Sequence, residues 1–153
     1  MAGISTIAAG AGLLGLGLWA RRDVHSGLAQ ERITLPESAD SPKAPVRDAA
    51  SARTLAETIR EATLRSADGR TYGETPSYVD AEGRPTWDSA AAARDPLTGA
   101  PVDNPQASLW LTATTLQTAL MQAYLAQRLA ELTAGLGALL VGVGAGLTAA
   151  SRR

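Results

Sequence analysis

The sequence contains no cysteine, which excludes disulfides, lipid-modified cysteine, Fe–S clusters and cysteine-rich zinc sites. It also contains no phenylalanine and only three tryptophans and three tyrosines among 153 residues. The part of the chain outside its long apolar runs therefore has few large side chains from which to build a core. A segment with so small a core needs staples or another surface to pack against.

Charge is low and mixed in sign, with a formal net charge of −1 and Lys43 as the only lysine. Proteins that bind nucleic acid usually carry a basic patch, so no nucleic-acid partner is predicted. His25 is the only histidine. A metalloenzyme needs several converging ligands, and a Ser–His–Asp triad needs a scaffold that holds three groups in register. We therefore predict no catalytic residue, no metal, no cofactor and no enzymatic activity.

Acidic side chains are frequent in the turn-rich region between residues 70 and 106, which raises calcium binding as an alternative. The candidates are Asp80, Glu82, Asp88, Asp95 and Asp103. They lack the ordered spacing D-x-D-x-D-G of a calcium loop. Aspartate also forms turns through its own backbone, which explains most of these positions.

Two long runs are almost free of ionisable residues: Ile4–Ala20, and Leu129–Ala150 with Glu131 alone near its start. A helix needs about 20 apolar residues to cross the hydrocarbon core of a bilayer. We predict an all-α membrane protein with transmembrane helices at 1–20 and 129–150. The alternatives for the first run are a cleaved signal peptide and a buried helix. Arg21 and Arg22 make a poor cleavage context, so an uncleaved anchor is expected.

The segment between the runs, 21–106, is predicted to be a mostly irregular loop region. Pro36, Pro42 and Pro45 favour an extended chain over 23–47. One amphipathic helix is expected at 48–67, with Asp48 as N-cap and Gly69 just past its end. Further on, the segments 77–79 and 85–87 form a hairpin signal, and 89–94 has the composition of one or two helical turns.

From Ala107 to about Ala150 the pattern is helical without interruption. We predict a long C-terminal helix whose first half, 107–128, lies outside the membrane and whose second half crosses it. The competing interpretation is a third span at 109–130. Three glutamines and one arginine make that span energetically costly: Gln117, Gln122, Gln127 and Arg128.

Small residues recur at helical spacing in both apolar runs. The predicted helix-packing residues are Ala8, Ala11, Gly12, Gly15, Gly135, Ala138, Gly142, Ala145 and Gly146. Such stripes let helix backbones approach closely in lipid, so the spans are expected to pack on each other or on a partner. An Ala/Gly-rich composition produces similar stripes by chance, which is the alternative.

Aromatic and basic residues flank the predicted spans. The expected membrane-interface anchors are Trp19, Arg21, Arg22, Tyr124 and Arg128. Arg128 and Glu131 lie one helical turn apart, and they are expected to pair with each other at the interface or with a partner subunit.

Three short motifs resemble those of a group of small two-span actinobacterial membrane proteins. The sequence LAQERIT at 28–34 follows the first run, TYGE at 71–74 follows the loop helix, and LQTAL at 116–120 precedes the second run. Members of the group often carry the label aromatic ring-opening dioxygenase. The lone His25 contradicts that label, because such chemistry needs a metal site. This chain departs from the group in its shorter first run and its longer 70–106 region.

The resemblance implies a multi-pass protein of the cell membrane with both termini inside and an extracytoplasmic loop. Arg152 and Arg153 agree with this orientation, whereas Arg21 and Arg22 oppose it. The expected function is association: an accessory or assembly subunit of a membrane protein complex, with membrane lipid and other subunits as partners. A stand-alone or homo-oligomeric envelope protein is the alternative, and an enzyme is the remote one.

Overall fold

The computed structural model of the chain describes residues 2–36 and 43–151. The chain is mostly helical, as predicted, with little sheet. The elements in order are α1 (Ala2–Gln30), α2 (Ala49–Ser66), a 3-10 turn (Tyr72–Glu74), β1 (Tyr78–Val79), β2 (Pro85–Thr86) and α3 (Pro105–Ala150). Two compact units form: one from Met1–Thr54 and Leu120–Arg153, the other from Leu55–Ala119.

Helix α1 does not end with the first apolar run at residue 20. The helix continues to Gln30, and the chain turns at Arg32 through a positive φ of 51°. No proline interrupts residues 21–30, and charged side chains end an apolar run without ending a helix.

The extended conformation predicted for 23–47 is wrong over 23–30, which belong to α1, and is confirmed where the chain pairs with itself after that helix. Leu35 N–H donates to the Ala44 carbonyl at 2.7 Å, and Val46 N–H donates to the Ile33 carbonyl at 2.9 Å. Thr34 forms an isolated antiparallel bridge with Pro45. Pro42 lies outside the described residues, as do Arg152 and Arg153.

Helix α2 lies where it was predicted and carries the expected cap. Asp48 accepts the Ser51 N–H at 2.8 Å, while the Ser51 hydroxyl accepts the Asp48 N–H at 3.2 Å. These reciprocal bonds satisfy backbone donors that every helix start leaves without an intrahelical partner. At the other end, Gly69 N–H donates to the Leu64 carbonyl at 2.8 Å, with Asp68 and Gly69 both at positive φ. This pattern is a Schellman-type stop.

The predicted hairpin is confirmed, with Tyr78 opposite Thr86 and Val79 opposite Pro85 in an antiparallel pair. The helical turns predicted at 89–94 are absent. Ala92 instead bridges Asp80, and Ala93 N–H donates to the Val79 carbonyl at 2.8 Å. Backbone pairing with the hairpin therefore outweighs the helical propensity of four consecutive alanines.

Helix α3 is 46 residues long. At 1.5 Å per residue it extends about 69 Å, more than twice the ~30 Å thickness of a bilayer's hydrocarbon core. The uninterrupted helix predicted from the sequence is confirmed. A separate third span at 109–130 would need a turn before the second span, and α3 contains none.

Both α1 and α3 are long and apolar enough to cross a membrane. Only 17% of the most apolar window of α1 and 11% of that of α3 is buried, so neither resembles the core helix of a soluble domain. Along α3, threonine hydroxyls donate to carbonyls four residues earlier. Examples are Thr115 to Leu111 at 2.9 Å and Thr133 to Leu129 at 2.8 Å. Such bonds satisfy polar groups inside a helix that exposes apolar side chains.

Candidate functional site

Glycines bring α1 and α3 into backbone contact as an antiparallel pair. The buried residues of α1 include Gly3, Gly10 and Gly17, spaced seven apart. A Cβ on Gly10 would lie 2.7 Å from the Gly137 carbonyl oxygen, and a Cβ on Gly137 would lie 2.7 Å from the Gly10 carbonyl oxygen. The two backbones leave no room for a side chain at this crossing.

The same reciprocal contact repeats along the pair. A Cβ on Gly3 would lie 2.9 Å from the Gly144 carbonyl oxygen, and one on Gly17 would lie 2.6 Å from the Ala130 carbonyl oxygen. Packing at this distance maximises dispersion contacts between helices in lipid, where the hydrophobic effect does not drive association. We call these contacts the glycine interface: Gly3, Gly10 and Gly17 against Gly144, Gly137 and Ala130.

The helix-packing residues predicted from the sequence lie on other faces, so their use between α1 and α3 is a wrong prediction. The exposed residues are Ala8, Ala11, Gly12, Gly15, Gly135, Ala138, Gly142, Ala145 and Gly146. A Cβ on any of the five glycines among them would meet nothing within 4 Å. The other predicted use of these residues, contact with a partner, stays a prediction.

The prediction chose the wrong face because the i, i+3, i+4, i+7 pattern belongs to a single helix, whereas α1 and α3 carry small residues on several sides. The glycine interface follows a strict seven-residue repeat on both helices, which is the period that two helices share when they wrap around each other. Because Ala8 and Gly15, and likewise Gly135 and Gly142, have the same spacing, the repeat alone does not single out this face.

A polar cluster lies where α2 begins, beside α3. Gln127 is 4% exposed, and its Oε1 accepts the N–H of the buried Ala49 at 2.6 Å. Its Nε2 donates to Glu131 Oε1 at 3.0 Å, and Arg128 donates to the other oxygen of Glu131 at 2.9 Å. Gln127 thus satisfies a backbone donor at the start of α2 that has no partner within its own helix.

Tyr124 extends this cluster between two arginines. The Arg53 guanidinium lies 5.9 Å from the centre of the Tyr124 ring, and that of Arg128 lies 5.4 Å from it. Both distances are typical of cation–π contacts. The predicted pairing of Arg128 with Glu131 is confirmed within the chain, and Tyr124 contacts arginines from two helices. The cluster joins α2 to α3 and presents no nucleophile–base pair.

We expect Gln127→Leu to leave the Ala49 N–H buried without an acceptor. An unsatisfied buried donor costs about 1–3 kcal/mol. The amide of Ala49 should then exchange with solvent faster in the variant, which NMR of the full chain in detergent can measure. Gln122→Leu is the matched control, because Gln122 lies exposed on the same helix. Equal exchange rates at Ala49 in both variants would show that Gln127 does not hold the start of α2.

The Asp48 cap is also electrostatically favoured. The backbone N–H and the hydroxyl of Ser51 hold the pKa of Asp48 below its ordinary value, and the nearby His25 contributes to the same shift. His25 therefore lies close to a capping carboxylate. Across the described residues, no group of three or more His, Cys, Asp or Glu side chains is arranged to hold a metal ion.

The acidic residues considered for calcium serve turns. Asp80 accepts the N–H of Arg84 at 2.8 Å and that of Glu82 at 3.1 Å, and these bonds lower its pKa, with the Arg84 N–H the largest cause. Asp95 likewise accepts the N–H groups of Thr98 and Leu97, both at 2.8 Å. The turn-forming role favoured from the sequence is confirmed for both aspartates.

The TYGE segment forms a capped turn. Glu74 accepts both the backbone N–H and the hydroxyl of Thr71 at 2.8 Å, which lowers the pKa of Glu74. Within LAQERIT, Leu28 is buried, and Arg32 adopts the positive φ that ends α1. Both motifs thus have structural roles at chain turns.

A groove of about 670 Å³ follows the C-terminal half of α1. It is lined by Gly15, Leu18, Trp19, Arg21, Arg22 and His25. Three predicted interface anchors thus lie together, and the missing side chain of Gly15 provides part of the space.

No known protein family, curated protein or solved structure matches the chain.

Proposed function

We propose that this chain is a non-catalytic integral membrane protein that works by association, as an accessory or assembly subunit of a larger membrane complex. The supporting observation is that small-residue faces remain open after the glycine interface has formed. Gly12 and Gly15 on α1 and Gly135, Gly142 and Gly146 on α3 each leave space for another backbone. In lipid, such surfaces permit close approach by a further helix.

Exposed apolar side chains give the same helices a lipid-facing surface. Leu132 is 71% exposed, Leu139 61% and Leu147 51%. An apolar surface of this length is unstable in water and is accounted for by lipid or protein partners.

The first test is extraction of the full chain from its native membranes with a mild detergent, followed by native gel electrophoresis and mass spectrometry. We expect migration as a complex with co-purifying membrane subunits. The double variant Gly142→Leu/Gly146→Leu should lose those subunits, because leucine fills the open face without touching the glycine interface. Gly27→Leu is the matched control, since a Cβ there also meets nothing within 4 Å.

Three outcomes would argue against this role. A lone monomer in native gels contradicts association altogether. Complexes that contain only this chain support the alternative, a homo-oligomeric envelope protein. Equal loss of partners in Gly27→Leu and in the double variant would show that leucine disturbs the helices themselves.

In the proposed topology the loop lies outside the cytoplasm and the first half of α3 stands out of the membrane. The turn at Leu97 is a suitable insertion point for a reporter, because that side chain is 93% exposed. A reporter that is active only after export should be active there. Activity confined to a cytoplasm-only reporter at the same site would reverse the topology.

A further inference from the structure

The groove on α1 combines an apolar half with a cationic half. Gly15, Leu18 and Trp19 belong to the apolar run, whereas Arg21, Arg22 and His25 follow it directly. Successive positions 15, 18, 19 and 22 share one side of a helix. Gly15 and Trp19 each lie two residues from Gly17, and a two-residue step turns the helix by about 200°. Gly15, Trp19 and Arg22 therefore face away from the glycine interface, whereas Arg21, four residues after Gly17, lies on the side of α3.

The charges at the groove are not all neutralised within the protein. Arg21 interacts electrostatically with Glu131, and His25 does so with Asp48. For Arg22, in contrast, the structured ranges 2–36 and 43–151 contain no ion-pair partner within 4.0 Å. Its guanidinium is exposed and offers planar donor groups that match a phosphate bidentately.

The position of the groove relative to the expected membrane surface fits a lipid that has both a phosphate and an acyl chain. Trp19 is 66% exposed at the end of the apolar run, where tryptophan marks the boundary between hydrocarbon and headgroups. The arginines follow within one turn, at the level of the phosphates. A soluble phosphate would contact only the cationic half and leave Leu18 and Trp19 uncovered.

We propose that this groove is a binding site for an anionic phospholipid, whose phosphate is held by Arg22 with Arg21 and whose acyl chain lies along Leu18 and Trp19 in the notch left by Gly15. The inference rests on the proposed membrane function. It adds a defined lipid class and a site to it. The expected preference over a zwitterionic lipid is about fivefold for each arginine that acts on the headgroup.

The test uses the position of Trp19. The full chain is reconstituted into vesicles of phosphatidylcholine that contain either brominated phosphatidylglycerol or brominated phosphatidylcholine at the same mole fraction. Bromine quenches tryptophan fluorescence at short range, and Trp19→Phe identifies the component that belongs to the groove. We expect stronger quenching of that component by the brominated anionic lipid. Equal quenching by the two lipids would overturn the proposal.

Three variants separate a site from diffuse attraction. Arg21→Gln/Arg22→Gln should abolish the preference, whereas Arg84→Gln/Arg94→Gln, with the same loss of charge in the loop, should preserve it. Gly15→Leu should also reduce the preference, because it fills the notch without changing charge. Gly12→Leu, at another open glycine of α1, should not. A preference that survives Gly15→Leu unchanged would replace the groove with general surface electrostatics.

Failure of this inference is distinguishable from failure of the proposed function. Alkaline extraction of native membranes reports whether the chain is integrated at all. A chain that resists extraction but shows no lipid preference remains an integral membrane protein, whose association the native gel tests, and loses only the lipid site. A chain that is released loses both.

Discussion

Gly10→Val is expected to force α1 away from α3 and to remove most of the stability of the helix pair. The added Cβ would lie 2.7 Å from both the Gly137 carbonyl oxygen and the Val141 backbone nitrogen, and 2.9 Å from the Leu140 Cβ. Backbone atoms cannot rotate away as a side chain does. Overpacking of a tight site costs about 1–3 kcal/mol, and contacts with backbone place this substitution at the upper end.

The full chain is unfolded by replacing a mild detergent with SDS. Protease resistance serves as the readout from which the midpoint of unfolding is determined. Gly12→Val is the matched control: it adds the same side chain to the same helix, two residues further on, where a Cβ meets nothing within 4 Å. The control should unfold near the wild-type midpoint. Equal midpoints for the two variants would contradict the glycine interface, because Gly10 and Gly12 would then contribute equally to the packing of α1.

The second large effect is expected from Trp110→Ala in the unit formed by Leu55–Ala119. Trp110 is 3% exposed, and its Nε1–H donates to the Arg70 carbonyl at 3.2 Å. Loss of a buried aromatic side chain costs about 3–5 kcal/mol. In a chain without phenylalanine this side chain is a large part of the available core. Trp110→Phe should cost less, because it keeps most of the bulk and loses the hydrogen bond.

Trypsin cleavage of the full chain in detergent measures this effect, because Arg65, Arg70 and Arg94 all lie in the region concerned. The rates at these sites should rise strongly in Trp110→Ala and modestly in Trp110→Phe. Trp87→Ala is the control, since Trp87 is 58% exposed. Should Trp87→Ala accelerate cleavage as much as Trp110→Ala, the burial of Trp110 would not be what holds this unit together.

Local signals predicted the elements well because each depends on a few neighbouring residues. The cap formed by Asp48 and Ser51, the stop at Gly69 and the turn between β1 and β2 are all encoded within four or five positions. The long unbroken helix followed from the absence of glycine and proline over 106–134. Such features need no knowledge of what packs against them.

The choices between faces could not be made locally. Gly10 and Gly12 are chemically identical, and only the position of α3 decides which one is buried. Likewise, Gln127 was read as a polar residue that argues against a third span, whereas it accepts a hydrogen bond from Ala49, 78 positions away in sequence. The end of α1 could not be predicted from hydrophobicity, because the chain becomes charged at Arg21 and yet remains helical to Gln30.

The seven-residue spacing of the glycine interface also limits how α1 and α3 can slide past each other. A shift of α3 by one residue would set Leu136 or Ala138 against Gly10, and a shift by two residues would turn the contacting face of α3 by about 200°. The same two faces meet again after a full repeat, about 10.5 Å along the axis. The interface fixes the height of Arg21 relative to Glu131, and small displacements of either helix are resisted by steric contact rather than by attraction.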